Sequence, residues 1–546
     1  MSAQDFIVEI GVEELPPTAL KTLSQSFTAA ITAGLTEAEL SFTSSKELLA
    51  APRRLAFIVE GLTEQGTDKE IVAWGPPAKI AFDDDGKPGK AAIAFANKNG
   101  IAVEDLAVEN DGKQDKLCAR STQAGSKAVD VLPGIVQNAL DQLPIAKRMR
   151  WGASRTEFVR PVHWIVMLFG SDVIPATILG IDSSNQSRGH RFHCNENITI
   201  NNASDYEAAL KNAYVIVDYQ VRQAMVAAQV KAEGENIGGH AVIGEDLLDE
   251  VTGLVEWPVA LTGSFEDRFL DVPAEALISS MKEHQKYFHV EDANGKLMPN
   301  FITVANIESK DPTQVISGNE RVIRPRLDDA AFFFATDKKT NLDARVERLK
   351  TVVFQKQLGT TYEKTQRISK LAAYIAAHIH GNIDYAQRAG QLCKADLVSD
   401  MVLEFDKMQG IAGMYYALND GEPAEVANAI REQYLPKFSG DKLPETLTGC
   451  AVALADRLDT LVGIFGVNQI PSGSKDPFAL RRAVLGFIRI ISEKQFLGLD
   501  IDSLLIEAKN GLAGKISNDN VVTDVNTFIM DRYRAIYQDQ NVPADT

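Results

Sequence analysis

Apolar positions recur along this chain with two different periods, and the period changes near residue 318. Before that point the apolar runs are short and strand-like. FIVEIGVEEL (6–15) opens as a strand and stops at Pro16 and Pro17. LAFIVEGL (55–62) predicts a second strand. KIAFDDDGKPGKAA (79–92) predicts a hairpin, because Asp85-Gly86 favours a tight turn between apolar flanks. HWIVMLFG (163–170) is a nearly continuous apolar run ended by Gly170, which predicts a buried central strand. VIVDYQ (215–220) and NFITVAN (300–306) predict further strands, and DYEAAL (205–210) and YQVRQAMVAAQVKAEG (219–234) predict helices between them.

From Leu342 onward the spacing turns helical, with Leu342, Val346, Leu349 and Val353 on one stripe. Helices are predicted over 365–380, 385–418, 424–434, 446–466 and 477–497, punctuated by Gly381, Gly421, Pro436 and Pro471. A last helix is predicted over 526–540, with Phe528, Tyr533 and Ile536 on a partly shared face. A domain boundary is placed at about 310–340. The fold class is α+β multidomain, a mixed α/β N-terminal half followed by a mostly α-helical half.

Length supports several domains: 546 residues make about three to four at roughly 150 each. The charged fraction of 24% and hydrophobic fraction of 45% exclude a largely disordered chain or a coiled-coil rod. The net charge of −18 repels polyanions, so any nucleic acid must be met by local basic patches. Cys118, Cys194, Cys393 and Cys450 are far apart and form no C-x-x-C pair, which points to a reducing compartment. The N-terminal MSAQDFIVEIGVEELPP carries acids where a signal peptide carries a basic segment. No apolar run reaches the roughly 18 residues of a membrane helix. A cytoplasmic protein with no membrane partner is expected.

Nucleotide motifs are weak. Ser472-Gly473-Ser474-Lys475 lacks the first glycine and the Gly-Lys order of a phosphate-cradling P-loop. His378-Ile379-His380-Gly381 has the wrong order for an H-I-G-H tetrapeptide. His190, His193 and Cys194 combine zinc-type ligands but have no second half, so a structural or anion-contacting turn is expected and no metal site. In the helical half, His378, His380, Asp396, Asp400 and Asp456 resemble the ingredients of a metal-dependent HD-type phosphohydrolase. Asp396 and Asp400, four apart, are predicted to share a helix face, with Glu404 one turn on. That motif needs His directly before Asp. Here Ala395 precedes Asp396, and Lys394 puts positive charge where a cation would sit, so a solvated acidic face or salt bridges are expected instead.

Three basic segments remain. Residues 147–160 hold Lys147, Arg148, Arg150, Arg155 and Arg160 against one acid, Glu157. Residues 318–339 place Arg321, Arg324 and Arg326 beside Phe332, Phe333 and Phe334. Residues 471–490 carry Lys475, Arg481, Arg482 and Arg489. Such groups grip phosphates, and exposed aromatics stack on unpaired bases. Ion pairing with nearby acids and burial of the phenylalanines are the competing uses.

Several of these segments are long and unusual: FIVEIGVEELP, APRRLAFIVEGL, EFVRPVHWIV, RGHRF, MKEHQKYF, NERVIRPRLDDAAFFFATD, LCKADLVSDMVLEFDKMQGIAGMYYAL and PSGSKDPFALRRAVLGFIRI. In order, through nearly the whole chain, they resemble the β subunit family of bacterial heterotetrameric glycyl-tRNA synthetases. The resemblance implies an α2β2 assembly in which the α subunit uses ATP and Mg to make glycyl-adenylate, with no cofactor and no catalytic residue in this chain. It implies tRNA(Gly) and the α subunit as partners, and no DNA. It implies an N-terminal α+β region (1–150), a module resembling the substrate-pocket region of the phenylalanyl enzyme's β chain (151–317), a degenerate HD-like domain (318–510) and the start of an anticodon-binding domain (511–546), most of which this chain is expected to lack. The degenerate HD-like positions are His378 or His380, Asp396 and Asp456. Expected tRNA contacts are Arg321, Arg324, Arg326, Lys475, Arg481 and Arg482. An active HD-type phosphohydrolase and a purely structural scaffold that docks the α subunit are the alternatives.

Overall fold

The computed structural model describes residues 2–81, 87–110, 112–473 and 475–539. Backbone contacts divide the chain into two compact units. The first runs to Gly263 and takes in Lys286–Lys296 and Phe301–Ser317; the second holds Ser264–Gln285, Leu297–Asn300 and everything from Gly318 on.

The first unit is built on a sheet whose middle is two apolar runs, Ala3–Val12 and Val162–Phe169, paired antiparallel with Phe6 opposite Phe169 and Ile10 opposite Ile165. Arg54–Thr63 pairs with the other edge of Ala3–Val12. Side chains alternate between faces along a strand. Phe6, Val8 and Ile10 therefore join one buried cluster with Leu20, Phe27 and Ile31 of the helix Pro17–Glu37, while Ile7 joins another with Tyr206, Leu210 and Val215. The helix begins at Pro17, where a missing N–H costs nothing. Gly11 is required by close approach: a Cβ there would lie 1.9 Å from the Trp164 ring.

Two strand expectations change in this unit and a third holds. The Asp85-Gly86 turn lies outside the described residues, and its flanks, Ala78–Ala81 and Lys90–Asn99, are helical rather than paired strands. Residues 215–217 are buried but belong to no strand; only an isolated bridge joins Asp218 to Leu49, and the helix begins at Tyr219. The run is apolar because it faces the core. Its backbone groups go to separate partners, with the Val215 N–H donating to Leu210 and the Ile216 N–H to Glu256. NFITVAN does form a strand, within Leu297–Ala305.

The second unit is helical. Leu447–Gly466 is buried almost all round, as a hydrophobic helix must be at the centre of a bundle. Thr361–His378, Ala424–Glu432, Leu480–Glu493, Ile501–Gly511 and Val521–Asp539 pack against it. The start of Thr361–His378 is fixed by a reciprocal capping box between Thr360 and Glu363. The continuous helix expected over 385–418 is instead Ile383–Leu392, short turns at Ala395–Val398 and Asp406–Met408, Asp400–Glu404, and Ile411–Asn419. Polar groups break it: the Ser399 hydroxyl accepts from the Val402 N–H, and Gly410 adopts φ +80°. Val353 continues the helical spacing of Leu342 and Val346 yet sits in the strand Val353–Gln355, 68% exposed.

Candidate functional site

Each basic segment meets a different environment. Arg321, Arg324 and Arg326 lie on the helix Pro312–Asp337. Arg324 pairs with Glu266 at 2.8 Å and Arg326 with Glu404 at 3.6 Å. Arg321 is exposed and meets no carboxylate among the described residues. Phe334 stacks on Tyr416 with ring centres 5.8 Å apart, whereas Phe332 is 63% exposed. Lys475 is exposed in a turn closed by backbone bonds with Ser472 in both directions. Asp476 caps the following helix by accepting from the Leu480 and Arg481 N–H groups, which sets Arg481 and Arg482 in its first turn. The Arg481 guanidinium donates to the Gly473 carbonyl at 2.6 Å. Arg482 is exposed and has no carboxylate partner among the described residues. Arg489 is tied to Glu493. Four of the six sequence-chosen cations, Arg321, Lys475, Arg481 and Arg482, therefore have no side-chain ion pair among the described residues.

The segment 147–160 is more committed. Arg150 pairs with Glu157, Arg148 donates to the Asp141 carbonyl, and Arg160 to the carbonyls of Glu14 and Val159. His190, where the sequence predicts a structural or anion-contacting turn, closes a turn with its own ring. Its Nδ1 accepts from the Phe192 and His193 N–H groups, so Nε2 donates to the Asn306 carbonyl at 2.7 Å.

The HD-like positions do not form one site. His378 is exposed at its helix end and donates to its own helix at the Tyr374 carbonyl; His380 is exposed with φ +58°. Asp396 and Asp400 do not share a helix face, because the backbone turns between them. Asp400 is exposed, while Asp396 is fully buried, its Oδ2 accepting from the Gly410 and Gly413 N–H groups at 2.6 and 3.1 Å. Its Oδ1 has no hydrogen-bond partner, and burial pushes its carboxyl up to about 6. Among the described residues, no group of three or more His, Cys, Asp and Glu side chains is placed to hold a metal ion.

Asp456 is surrounded by cations instead. Lys364 lies 2.9 Å and Lys394 2.8 Å from its carboxylate oxygens, and Lys364 also reaches Asp459 at 3.1 Å, which Arg367 holds at 2.5 Å. Burial alone would raise Asp456, but the two lysines overcome it and hold the carboxyl well below the usual range. Lysine ammonium groups thus occupy the surroundings that a divalent cation would need, and the arrangement does not favour the phosphohydrolase alternative. Lys364 with Arg367, and Asp456 with Asp459, are each three apart on facing helices. That matched spacing was readable in the sequence, though nothing local says the two helices meet.

Beside Asp456 the helical unit has a solvent-open cavity of about 410 Å³. Lys407, Gln433, Tyr434, Lys437, Phe478 and Arg482 are in its wall. A more apolar cavity of about 380 Å³ shares Pro436 and Arg482 with it and reaches Phe438, Leu485 and Ile536.

Motifs in the first unit converge on a different centre. Glu9, from FIVEIGVEELP, is fully buried. It accepts from Ser187 at 2.6 Å, from Arg54 at 3.3 Å, and from Trp164 and Tyr206. Arg54 also meets Glu256 at 3.4 Å. These residues were not singled out from the sequence, since a lone charge in an apolar strand gives no partner.

The chain is similar in sequence to known proteins along its whole length. A profile described as Glycyl-tRNA synthetase beta subunit matches residues 6–546. A glycine–tRNA ligase beta subunit from Hahella chejuensis is 55% identical over 546 residues, covering 100% of this chain and 78% of that protein. One from Marinobacter nauticus is 53% identical over 547 residues, with the same coverage. A crystal structure of a predicted HD superfamily hydrolase from an uncultured Thermotogales bacterium is 22% identical over 29% of this chain and 88% of that one, with a TM-score of 0.19, too low to carry an argument. With the profile matched from residue 6 to the last residue and more than half of all positions identical to such a relative, the chain belongs to the glycyl-tRNA synthetase beta subunit family.

Proposed function

We propose that this chain is the tRNA-holding half of a cytoplasmic α2β2 glycine–tRNA ligase, presenting tRNA(Gly) to a catalytic α subunit that uses ATP and Mg. The family match over residues 6–546 carries the reading, since a beta subunit of a ligase works with a partner subunit. Arg321, Lys475 and Arg482 add support, being exposed and unclaimed by carboxylates among the described residues, in a chain of net charge −18. No helix among the described residues is long and apolar enough to cross a membrane. In this reading 1–150 and 151–317 are successive modules, 318–510 is an HD-like domain without hydrolase chemistry, and 511–546 belongs to the anticodon-binding domain. Holding the tRNA beside a separate active site makes glycyl transfer effectively unimolecular, a gain from positioning alone.

Glycylation of tRNA(Gly) by this chain alone, by the α subunit alone and by both tests the reading. Charging is expected only from the pair. Filter binding across salt tests the cations: Arg481→Ala with Arg482→Ala should weaken tRNA(Gly) binding and lower the salt slope by about 1 for each phosphate left without its cation. Glycyl-adenylate formation by this chain unaided, or no tRNA binding with the α subunit present, overturns it.

A further inference from the structure

The 410 Å³ cavity of the helical unit shares only Arg482 with the cations assigned above, and its size falls within the roughly 300–1,000 Å³ of small-molecule sites. Its wall carries more positive than negative charge. Lys437 and Arg482 are exposed, and neither side chain forms an ion pair among the described residues, although the Lys437 backbone N–H donates to the Asp441 carboxylate at 2.7 Å. Arg457 is fixed by donating to the carbonyls of Gln433, Ala453, Leu435 and Pro436, and Lys407 is held by Glu283. Of the two acids present, Asp406 is exposed and Asp456 is already matched by Lys364 and Lys394. Two unshared cations in such a wall suit a dianion.

A second feature narrows the ligand. Gln433 is 1% exposed and lines the cavity. Its Nε2 donates to the carbonyls of Cys393 and Ile430, which fixes the amide orientation. Its Oε1 is then a buried acceptor with no donor, a costly group to leave unpaired. A phosphate dianion offers no N–H or O–H, so the ligand must bring one on another part. Phe478 adds aromatic surface to the same wall, on which a base can stack, whereas the Tyr434 ring already carries the Lys394 ammonium 4.2 Å from its centre.

We propose that this cavity binds the 5′-phosphomonoester end of a nucleotide. Lys437 and Arg482 hold the phosphate, and Gln433 Oε1 accepts from a sugar hydroxyl or a base N–H. The nucleotide is either free or the phosphorylated 5′ end of an RNA; both present the same chemistry. The site stands on the cavity and its groups and does not depend on the tRNA-holding role.

Calorimetric titration of the 546-residue chain separates the sources. The probes are GMP, guanosine, and an RNA hairpin carrying either a 5′-phosphate or a 5′-hydroxyl. GMP is expected to bind at least about tenfold tighter than guanosine, and Lys437→Ala or Arg482→Ala to weaken it about tenfold each. Both side chains are exposed, so thermal melts of the variants should match the parent. Lys211→Ala, an exposed lysine of the first unit, should leave GMP affinity unchanged. A hairpin that binds only when 5′-phosphorylated, with GMP silent, assigns the site to an RNA end. The proposal falls if neither phosphorylated probe binds better than its unphosphorylated twin, or if the Lys437→Ala/Arg482→Ala double variant binds like the parent. Failure of tRNA charging with GMP binding intact strikes only the reading of the preceding subsection.

Discussion

Each unit buries a charged network, and the two are built on opposite plans. Around Glu9 the carboxylate takes one cation and three neutral donors, and the side chains of Glu9 and Arg54 are 0% exposed. All four lone-pair positions of the carboxylate are used, so such a centre locks strands and helices together, with only the Arg54 Nε left without a partner among the described residues. Around Asp456 three cations, Lys364, Arg367 and Lys394, share two carboxylates, and the Asp456 side chain is 18% exposed beside a cavity. A closed network serves specificity of folding; an open one with surplus cation serves recognition.

The comparison breaks most visibly at Arg54. Arg54→Ala leaves Glu9 and Glu256 buried without their cation and should cost about 3–5 kcal/mol in urea unfolding. A cost under about 1 kcal/mol would show that the first network is not a folding lock. Next comes Asp396, whose carboxyl sits at about 6 against an ordinary 3.8. The folded protein keeps that proton between those values while the unfolded chain has released it, so its contribution to stability declines as pH rises from about 4 to 6. A displacement of this size is worth about 3 kcal/mol. The stability difference between the parent and Asp396→Asn should therefore fall by that order across the window, and a flat difference rules the burial effect out.

Asp456 has the opposite sign. Its depressed carboxyl stabilises the fold at neutral pH, and that stability is lost as pH falls through the ordinary carboxylate range. Asp456→Asn should cost about 2 kcal/mol at pH 7, less than Arg54→Ala because the cavity admits solvent. It should also strengthen phosphate binding by removing a negative charge from the wall; weaker binding would contradict the open-network reading. The smallest effect belongs to the surface: a double-mutant cycle on Arg326 and Glu404 should return under about 1 kcal/mol.

The sequence was most legible where a segment's period matched its surroundings. The strands at 6–15, 55–62 and 163–170 and the helix at 446–466 lie where periodicity places them. Legibility failed where a polar contact outranked the period. Residues 385–418 break because Ser399 and Asp396 draw in backbone N–H groups from across the turn. The run 215–217 is apolar enough for a strand but satisfies its amides elsewhere. The six cations picked for phosphate contact were equal in sequence, yet Arg324 and Arg326 are paired off while Arg321, Lys475 and Arg482 meet no carboxylate among the described residues. Gln433 and Lys437 gave no signal, because a lone polar residue says nothing about a cavity until distant walls enclose it.

The sequence by itself determined the change from sheet to helix, the breaks at proline and glycine, and the family, since these depend on residue order and on neighbours three or four positions away. Tertiary structure alone decided which charges are neutralised and which remain available. Lys364 and Lys394 reach Asp456 across 92 and 62 positions. Coulomb attraction and desolvation act through space, and no local pattern encodes either the distance or the dryness that sets their strength.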